Sequence, residues 1–311
     1  MKVNRLQRSM VDVTELGLGG GPLGGLFQPV DDEAAAATLA AAWDSGIRYF
    51  DTAPHYGIGH SERRFGEFLR EQPRDAFTLS TKVGRLLVEQ DPAGRTDEAF
   101  QVPPTHRRVW DFSRDGVRRS LEESLFRMGL ERVDVLYLHD AGDHFDAALH
   151  DGYPALAELR AEGVVGAIGA GMENAALLTT LIQETDVEVL MLPGRYTLLD
   201  QSALDELLPA YQERRVSVIA AAVFHSGGAS PAPTRHRRHV WLSDRVGGGA
   251  GPSKPHRRGV HRARCDAAPG SDGVPTDAPC GDRRCSGNAL CRGGPTERQL
   301  VCDGGTHSAV E

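Results

Sequence analysis

The chain has 311 residues, 40% of them hydrophobic and 25% charged, with a formal net charge of −8. It contains no run of about 18 apolar residues, which excludes a helical membrane span, and its acidic balance gives no overall basic footprint for nucleic acid. The opening residues MKVNRLQRSMVDVTELG lack the apolar stretch of a secretory signal, so the expected address is the cytoplasm and the expected partner a small molecule, with no membrane or nucleic-acid partner.

Seven short β-like segments follow in order, at 13–18, 47–52, 77–83, 133–139, 164–169, 187–192 and 216–223. Between them lie amphipathic stretches at 32–45, 61–70, 114–128, 153–161, 174–184 and 203–214, with Asp31, Ser113 and Ser202 as candidate caps. The strand starts recur about every 23 to 34 residues, except where a polar insert at 84–111 separates the third strand from its helix. A βα repeat of this length requires parallel strands with right-handed crossovers, which leaves an open doubly wound sheet or a closed barrel.

Gly19 to Gly24 fits G-x-G-x-x-G, the phosphate-binding fingerprint of the open sheet. However, Pro22 lies inside it, and Phe27, Gln28, Pro29 and Val30 delay the helix whose N-terminus must receive a pyrophosphate. The fold expected is therefore α/β, a (β/α)8 TIM barrel. It is incomplete, because about seven βα units can be recognised and the eighth strand and helix cannot.

The missing unit coincides with a break in composition. Residues 1–229 carry 22 Lys and Arg against 35 Asp and Glu, whereas 230–311 carry 13 against 8. Large apolar residues fall from about a third of the first part to about an eighth of the second, too few for a core. All five cysteines, Cys265, Cys280, Cys285, Cys291 and Cys302, lie in this second part at spacings unlike a structural zinc site, and no metal is expected. The chain thus divides into a barrel body, 1–229, and an Arg/Gly/Pro/Cys-rich tail, 230–311, read as disordered or as translated out of frame from a GC-rich gene.

A barrel gathers its chemistry at the C-terminal tips of its strands, and three consecutive tips carry ionisable groups. Asp51 ends the second strand, with Tyr56 five residues on; Lys82, one of three lysines in the chain, ends the third; His139-Asp140 ends the fourth. Such a set suits proton transfer at a carbonyl or alcohol oxygen. The ammonium of Lys82 would favour the phenolate of Tyr56, Asp51 would keep that ammonium charged, and His139 would hydrogen-bond the reacting oxygen. Taken singly, Asp51 reads as a turn acid, Lys82 as a solvated strand end and His139 as a core histidine; their recurrence at successive tips is what favours chemistry. Side chains donate no hydride, so a hydride carrier is required.

The segments Phe50-Asp51-Thr52-Ala53-Pro54-His55-Tyr56-Gly57, Ser80-Thr81-Lys82-Val83 and Tyr137-Leu138-His139-Asp140 resemble the Asp, Tyr, Lys and His tetrad segments of the aldo-keto reductases. The resemblance spans about residues 12–228. Gly20 to Gly24, Arg85-Leu86-Leu87 and Gly169-Ala170-Gly171-Met172 are most similar to the branch holding D-threo-aldose (L-fucose) 1-dehydrogenases and pyridoxal 4-dehydrogenases. It implies an oxidoreductase using NAD or NADP on an aldose and its lactone, or on an aldehyde or ketone and its alcohol. Tyr56 would be the general acid and base, tuned by Lys82 and Asp51, with His139 positioning substrate. Cofactor contacts implied are Gly20, Gly21, Met172, Asn174, Phe224 and Ser226, where Glu173 replaces the branch's usual Asn and Asn174 would substitute for it. The alternative reading is an inactive barrel fragment with at most a binding role. His55, His60, His106, His144 and His150 are expected to be loop residues, Trp110 and Phe112 to line the pocket, and Trp43 to pack in the core.

Overall fold

The computed structural model describes residues 1–205 and 207–224 and the backbone of Arg298–Cys302. An antiparallel hairpin of β1 (Val3–Arg5) and β2 (Asp12–Thr14) comes first. Its buried Leu6 and Val13 pack with Tyr49, Val135, Tyr137, Ala167, Val189 and Ile219, so the hairpin plugs the floor of the barrel. The run 13–18, expected as one strand, is split at Glu15. The first half pairs in this hairpin, and the second is β3 (Leu16–Gly19), the first strand of the barrel wall.

Six more parallel strands continue the wall: β4 (Tyr49–Asp51), β5 (Thr78–Val83), β8 (Val135–His139), β9 (Ala167–Gly171), β10 (Val189–Pro193) and β11 (Ser217–Ala221). The eighth parallel βα unit is missing among the described residues. Its place between β11 and β3 is taken by β12 (Arg298–Cys302), which pairs antiparallel to both neighbours and closes the barrel. The remainder of the tail, with the readings of disorder and frameshift, lies outside the described residues.

The insert before the third helix is not irregular throughout. It holds a second hairpin of β6 (Arg85–Glu89) and β7 (His106–Trp110), entered through Gly84 at φ +105°. A Cβ on Gly84 would lie 2.2 Å from the Phe112 ring, so this tight entry requires glycine.

The outer helices are α1 (Asp32–Asp44), α2 (His60–Leu69), α3 (Arg114–Met128), the single turn α4 (Phe145–Ala147), α5 (Tyr153–Ala161), α6 (Ala175–Glu184) and α7 (Leu207–Arg214). Asp31 and Ser113 cap as expected, accepting from Ala34 N at 2.7 Å and Gly116 N at 3.1 Å. Ser202 instead opens a 3-10 turn, and its hydroxyl donates to Asp200. Alternation along the strands sends Phe50, Leu79, Leu136 and Ile168 outward against the helices. The intervening positions, including Tyr49, Asp51, Ser80, Lys82, Tyr137 and His139, are left for the barrel interior.

The fifth strand begins three residues later than the sequence suggests, because its wall residues Ala167-Ile168-Gly169-Ala170-Gly171 are small and carry little β signal. Small size is required there: a Cβ on Gly169 would fall 1.6 Å from the Val189 carbonyl oxygen. Gly169→Ala is expected to destabilise the barrel by about 3 kcal/mol. Thermal unfolding should then show Tm lowered by roughly 6–12 °C. No helix among the described residues is long and apolar enough to cross a membrane.

Candidate active site

Register places the candidate groups. Asp51 pairs with Gly19 on one side and Ser80 on the other, Lys82 lies beside Tyr137, and His139 beside Gly171. Three inward-facing tips therefore meet at one end of the barrel. Lys82 Nζ donates to Asp51 Oδ2 at 2.6 Å and to the Thr52 carbonyl at 2.9 Å, with both charged side chains almost wholly buried. Beneath them runs a chain of hydroxyls. Ser80 donates to Asp51 Oδ1 at 2.7 Å, the Tyr49 hydroxyl lies 3.0 Å from Ser80 Oγ, and the Tyr137 hydroxyl lies 3.2 Å from that of Tyr49. A buried ion pair is tolerable when its remaining lone pairs are satisfied in this way.

Tyr56 is delivered by a tight loop after β4. Two loops cross here, because a Cβ on Gly24 would stand 2.6 Å from the Tyr56 carbonyl carbon and one on Gly57 2.2 Å from the Gly24 oxygen. Lys82 Nζ sits 4.6 Å from the centre of the Tyr56 ring. The His139 ring lies edge-on to the same phenol, with centroids 5.7 Å apart. The structure thus brings Asp51, Tyr56, Lys82 and His139 together.

Burial tends to lower the pKa of Lys82, but Asp51 and Tyr56 outweigh it and hold the amine above its ordinary value, as an ammonium. Burial pushes the Tyr56 phenol up to about 12; Lys82 opposes this without overcoming it. The sequence-based expectation of a lowered phenol is thus half right: the ammonium acts in the expected direction, and desolvation is the larger effect. Burial, reinforced by Arg85 and Lys82, holds His139 well below the usual imidazole range, so it is neutral and can donate through one ring nitrogen only.

Sequence reasoning missed His55. Its ring packs 5.6 Å from His139, 6.2 Å from Tyr56 and 5.2 Å from Phe100, and burial drives its pKa down to about 2. Arg108, from the insert hairpin, donates to the His55 carbonyl at 3.1 Å while gripping Asp97 through two bonds, which fastens the insert to the Tyr56 loop. The signal available was adjacency to Tyr56, which says nothing of a contact across 84 residues. Trp110 and Phe112 stack at 5.8 Å, and His144 lies 4.9 Å from Trp110; of the two residues expected to line a pocket, Phe112 instead packs in the hydrophobic core while Trp110 is exposed. Trp43 stacks on Phe50 in the helix–strand layer, as expected.

The candidate cofactor positions are less uniform. Gly20 is enclosed: a Cβ there would meet Ser61 Oγ at 2.4 Å and the Asp51 carbonyl at 2.8 Å. Gly21 is also buried but less crowded, since a Cβ there would meet only Leu26 Cδ2, at 3.5 Å. Met172 is buried, with its N–H donating to the Met191 carbonyl at 3.2 Å. Asn174 caps α6, accepting from Leu177 N at 3.1 Å, and borders a hollow of about 360 Å³ with Glu173, Ala175, Arg195 and Ser202. Phe224 is exposed, and Ser226 lies outside the described residues. Among the described residues no group of three or more His, Cys, Asp or Glu side chains is arranged to hold a metal ion.

The chain is similar to a D-threo-aldose 1-dehydrogenase from Pseudomonas sp, 50% identical over 235 residues that make up 74% of this chain and 71% of the relative. A pyridoxal 4-dehydrogenase from Microbacterium luteolum is 42% identical, covering 71% of this chain and 70% of its own. Among solved structures, the holo form of aldo-keto reductase AKR11C1 from Bacillus halodurans superposes with a TM-score of 0.57 at 25% identity, covering 71% of this chain and 65% of that one. The model of the aldo/keto reductase family matches residues 15–246, most of the chain and all three strand tips described above. On that match and on the Pseudomonas relative, the chain belongs to the aldo/keto reductase family of NAD(P)-dependent oxidoreductases.

Proposed function

We propose that this chain interconverts an aldose and its lactone, or an aldehyde or ketone and its alcohol, with Tyr56 as general acid and base. The observation that carries the reading is the buried Lys82 ammonium, 2.6 Å from Asp51 and 4.6 Å from the centre of the Tyr56 ring. A nicotinamide bound beside the substrate would supply hydride to the carbonyl carbon, or accept it in the reverse direction. In reduction the Tyr56 hydroxyl gives its proton to the carbonyl oxygen, and Lys82 stabilises the phenolate that remains. Asp51, fixed by Ser80, keeps the Lys82 amine charged and in place. Neutral His139 donates a hydrogen bond to the reacting oxygen and so orients it.

The residues present fit a dinucleotide. Arg195, which also bonds Asp200 and Glu173, and the side-chain amide of Asn174 line the hollow at the start of α6, where they could donate to an anionic group. Similarity to aldose and pyridoxal dehydrogenases supports the substrate classes. Nicotinamide absorbance, followed with NAD and with NADP on L-fucose, D-arabinose and pyridoxal, tests the proposal. Turnover of at least one aldose is expected; no turnover of any of the three by folded protein would sink it.

A phenol held near 12 has a directional consequence. Reduction needs the protonated phenol, which dominates through neutral pH, so its rate should be nearly flat there. Oxidation needs the phenolate, whose fraction grows about tenfold per pH unit below the pKa. The oxidative kcat/KM should therefore climb from about pH 7 to pH 10 without a plateau, and Lys82→Met should move that rise to still higher pH.

A further inference from the structure

We infer that Glu62, at the start of α2, is a positioning residue that ties the loop bearing Tyr56 to the strand bearing Lys82 and so sets the approach of the ammonium to the phenol. This rests on the reading of Tyr56 and Lys82 as the proton-transfer pair.

Alternation along β5 turns Lys82 into the barrel and Thr81 outward, against α2. Glu62 is buried in this outer layer with 0% of its side chain exposed, and both carboxylate oxygens are used. Oε1 accepts from Thr81 Oγ1 at 2.8 Å, and Oε2 from Arg127 Nε at 2.6 Å. The neighbouring Ser61 reaches the preceding strand in the same way. Its Oγ lies 2.8 Å from Thr52 Oγ1, and the Thr52 carbonyl is the second acceptor of the Lys82 ammonium, at 2.9 Å. Two consecutive residues of α2 therefore hold, from outside, the two wall segments whose inner faces carry Asp51 and Lys82.

Tyr56 is built into the start of the same helix. The Ser61 N–H donates to the Tyr56 carbonyl at 3.2 Å, the Gly59 N–H to that of Pro54 at 2.9 Å, and the Tyr56 N–H to that of Ala53 at 3.1 Å. Arg127 lies across this turn: a Cβ on Gly59 would stand 2.7 Å from its Cδ. The close packing of α3 on α2 sets Arg127 in turn, since a Cβ on Gly66 would fall 2.1 Å from the Met128 carbonyl oxygen.

Stability alone does not account for a buried charge here. The layer between α2 and β5 also holds Phe65, Leu69 and Leu79. Apolar residues of similar volume often serve stability as well as a buried ion pair, or better. A hydrogen bond differs from an apolar contact in fixing direction and distance. The bond to Thr81 acts one residue from Lys82, and a misplacement of about 1 Å at a reacting group can cost 10²-fold in rate.

Thr81→Val removes this bond and keeps the shape of the side chain, and Glu62→Leu removes the carboxylate. Each should lower kcat on an aldose about 10- to 100-fold with KM within a few-fold of wild type. The double variant should be no slower than about twofold below Glu62→Leu, because both substitutions break one connection. Thr81→Ser keeps the hydroxyl and should retain most of the rate; if Glu62→Leu does not fold, Thr81→Val against Thr81→Ser carries the test. A second readout is independent of how much protein is folded. Lysine labelled with 13C at Cε gives Lys82 its own resonance, identified by its loss in Lys82→Met. That resonance should be displaced in Thr81→Val and return in Thr81→Ser, with the other two lysines unmoved. A Lys82 resonance at its wild-type position in Thr81→Val, or a fully additive double variant, overturns the inference. So does a Thr81→Val kcat within about twofold of wild type when Tyr56→Phe is inactive. Tyr56→Phe that keeps its activity contradicts the proton-transfer reading instead, and the displacement of Lys82, seen without substrate, still decides whether Glu62 sets the place of the amine.

Discussion

Replacing Tyr56 with Phe is expected to lower kcat by about 10³-fold or more while leaving KM within a few-fold of wild type. The substitution removes one oxygen and keeps the ring that packs against His139 and under Lys82. Substrate and cofactor surfaces are thus preserved, and the loss falls on the proton. Steady-state kinetics on an aldose, in both directions, would check this. A rate within about tenfold of wild type would remove Tyr56 from the chemistry.

Lys82→Met should be comparably damaging to turnover and, unlike Tyr56→Phe, damaging to the fold. It leaves the Asp51 carboxylate buried with no cation beside it, and removing one partner of such a pair costs about 3–5 kcal/mol. Pairing it with Asp51→Asn removes the stranded charge, so the double variant should recover a large part of the stability and none of the activity. Denaturant unfolding and kcat on the two single variants and the double variant give the cycle. Recovery of activity together with stability would show that the pair is only structural.

How much of this was legible in the sequence follows from the range of each interaction. The seven wall strands and most helices announce themselves through local periodicity, and Asp51, Lys82 and His139 stand out because each ends an apolar run. The hairpin of β1 and β2 was not legible, since three-residue strands carry almost no periodic signal and Val13 to Leu18 reads as a single run. The insert hairpin left a trace in Arg85-Leu86-Leu87-Val88, but its partner strand His106–Trp110 is charged and half-exposed. The place of His55 against His139, the Arg85 to Asp140 bond and the upward shift of Tyr56 all arise from burial and long-range contact. Residue types alone do not encode them. The antiparallel closure by β12 draws on residues almost 80 positions beyond β11, where composition gave no strand pattern at all.

The shared charge at the strand tips can be measured without substrate or cofactor. The chain has three lysines, so lysine labelled with 13C at Cε alone gives three side-chain resonances, and the one lost in Lys82→Met belongs to the site. Across a pH titration the account predicts that this resonance shows no deprotonation up to about pH 10 in the wild type. In Asp51→Asn, where burial is no longer opposed by a carboxylate, it should titrate below the ordinary lysine value. A wild-type Lys82 that loses its proton below about pH 10, or one indifferent to Asp51→Asn, would contradict the account.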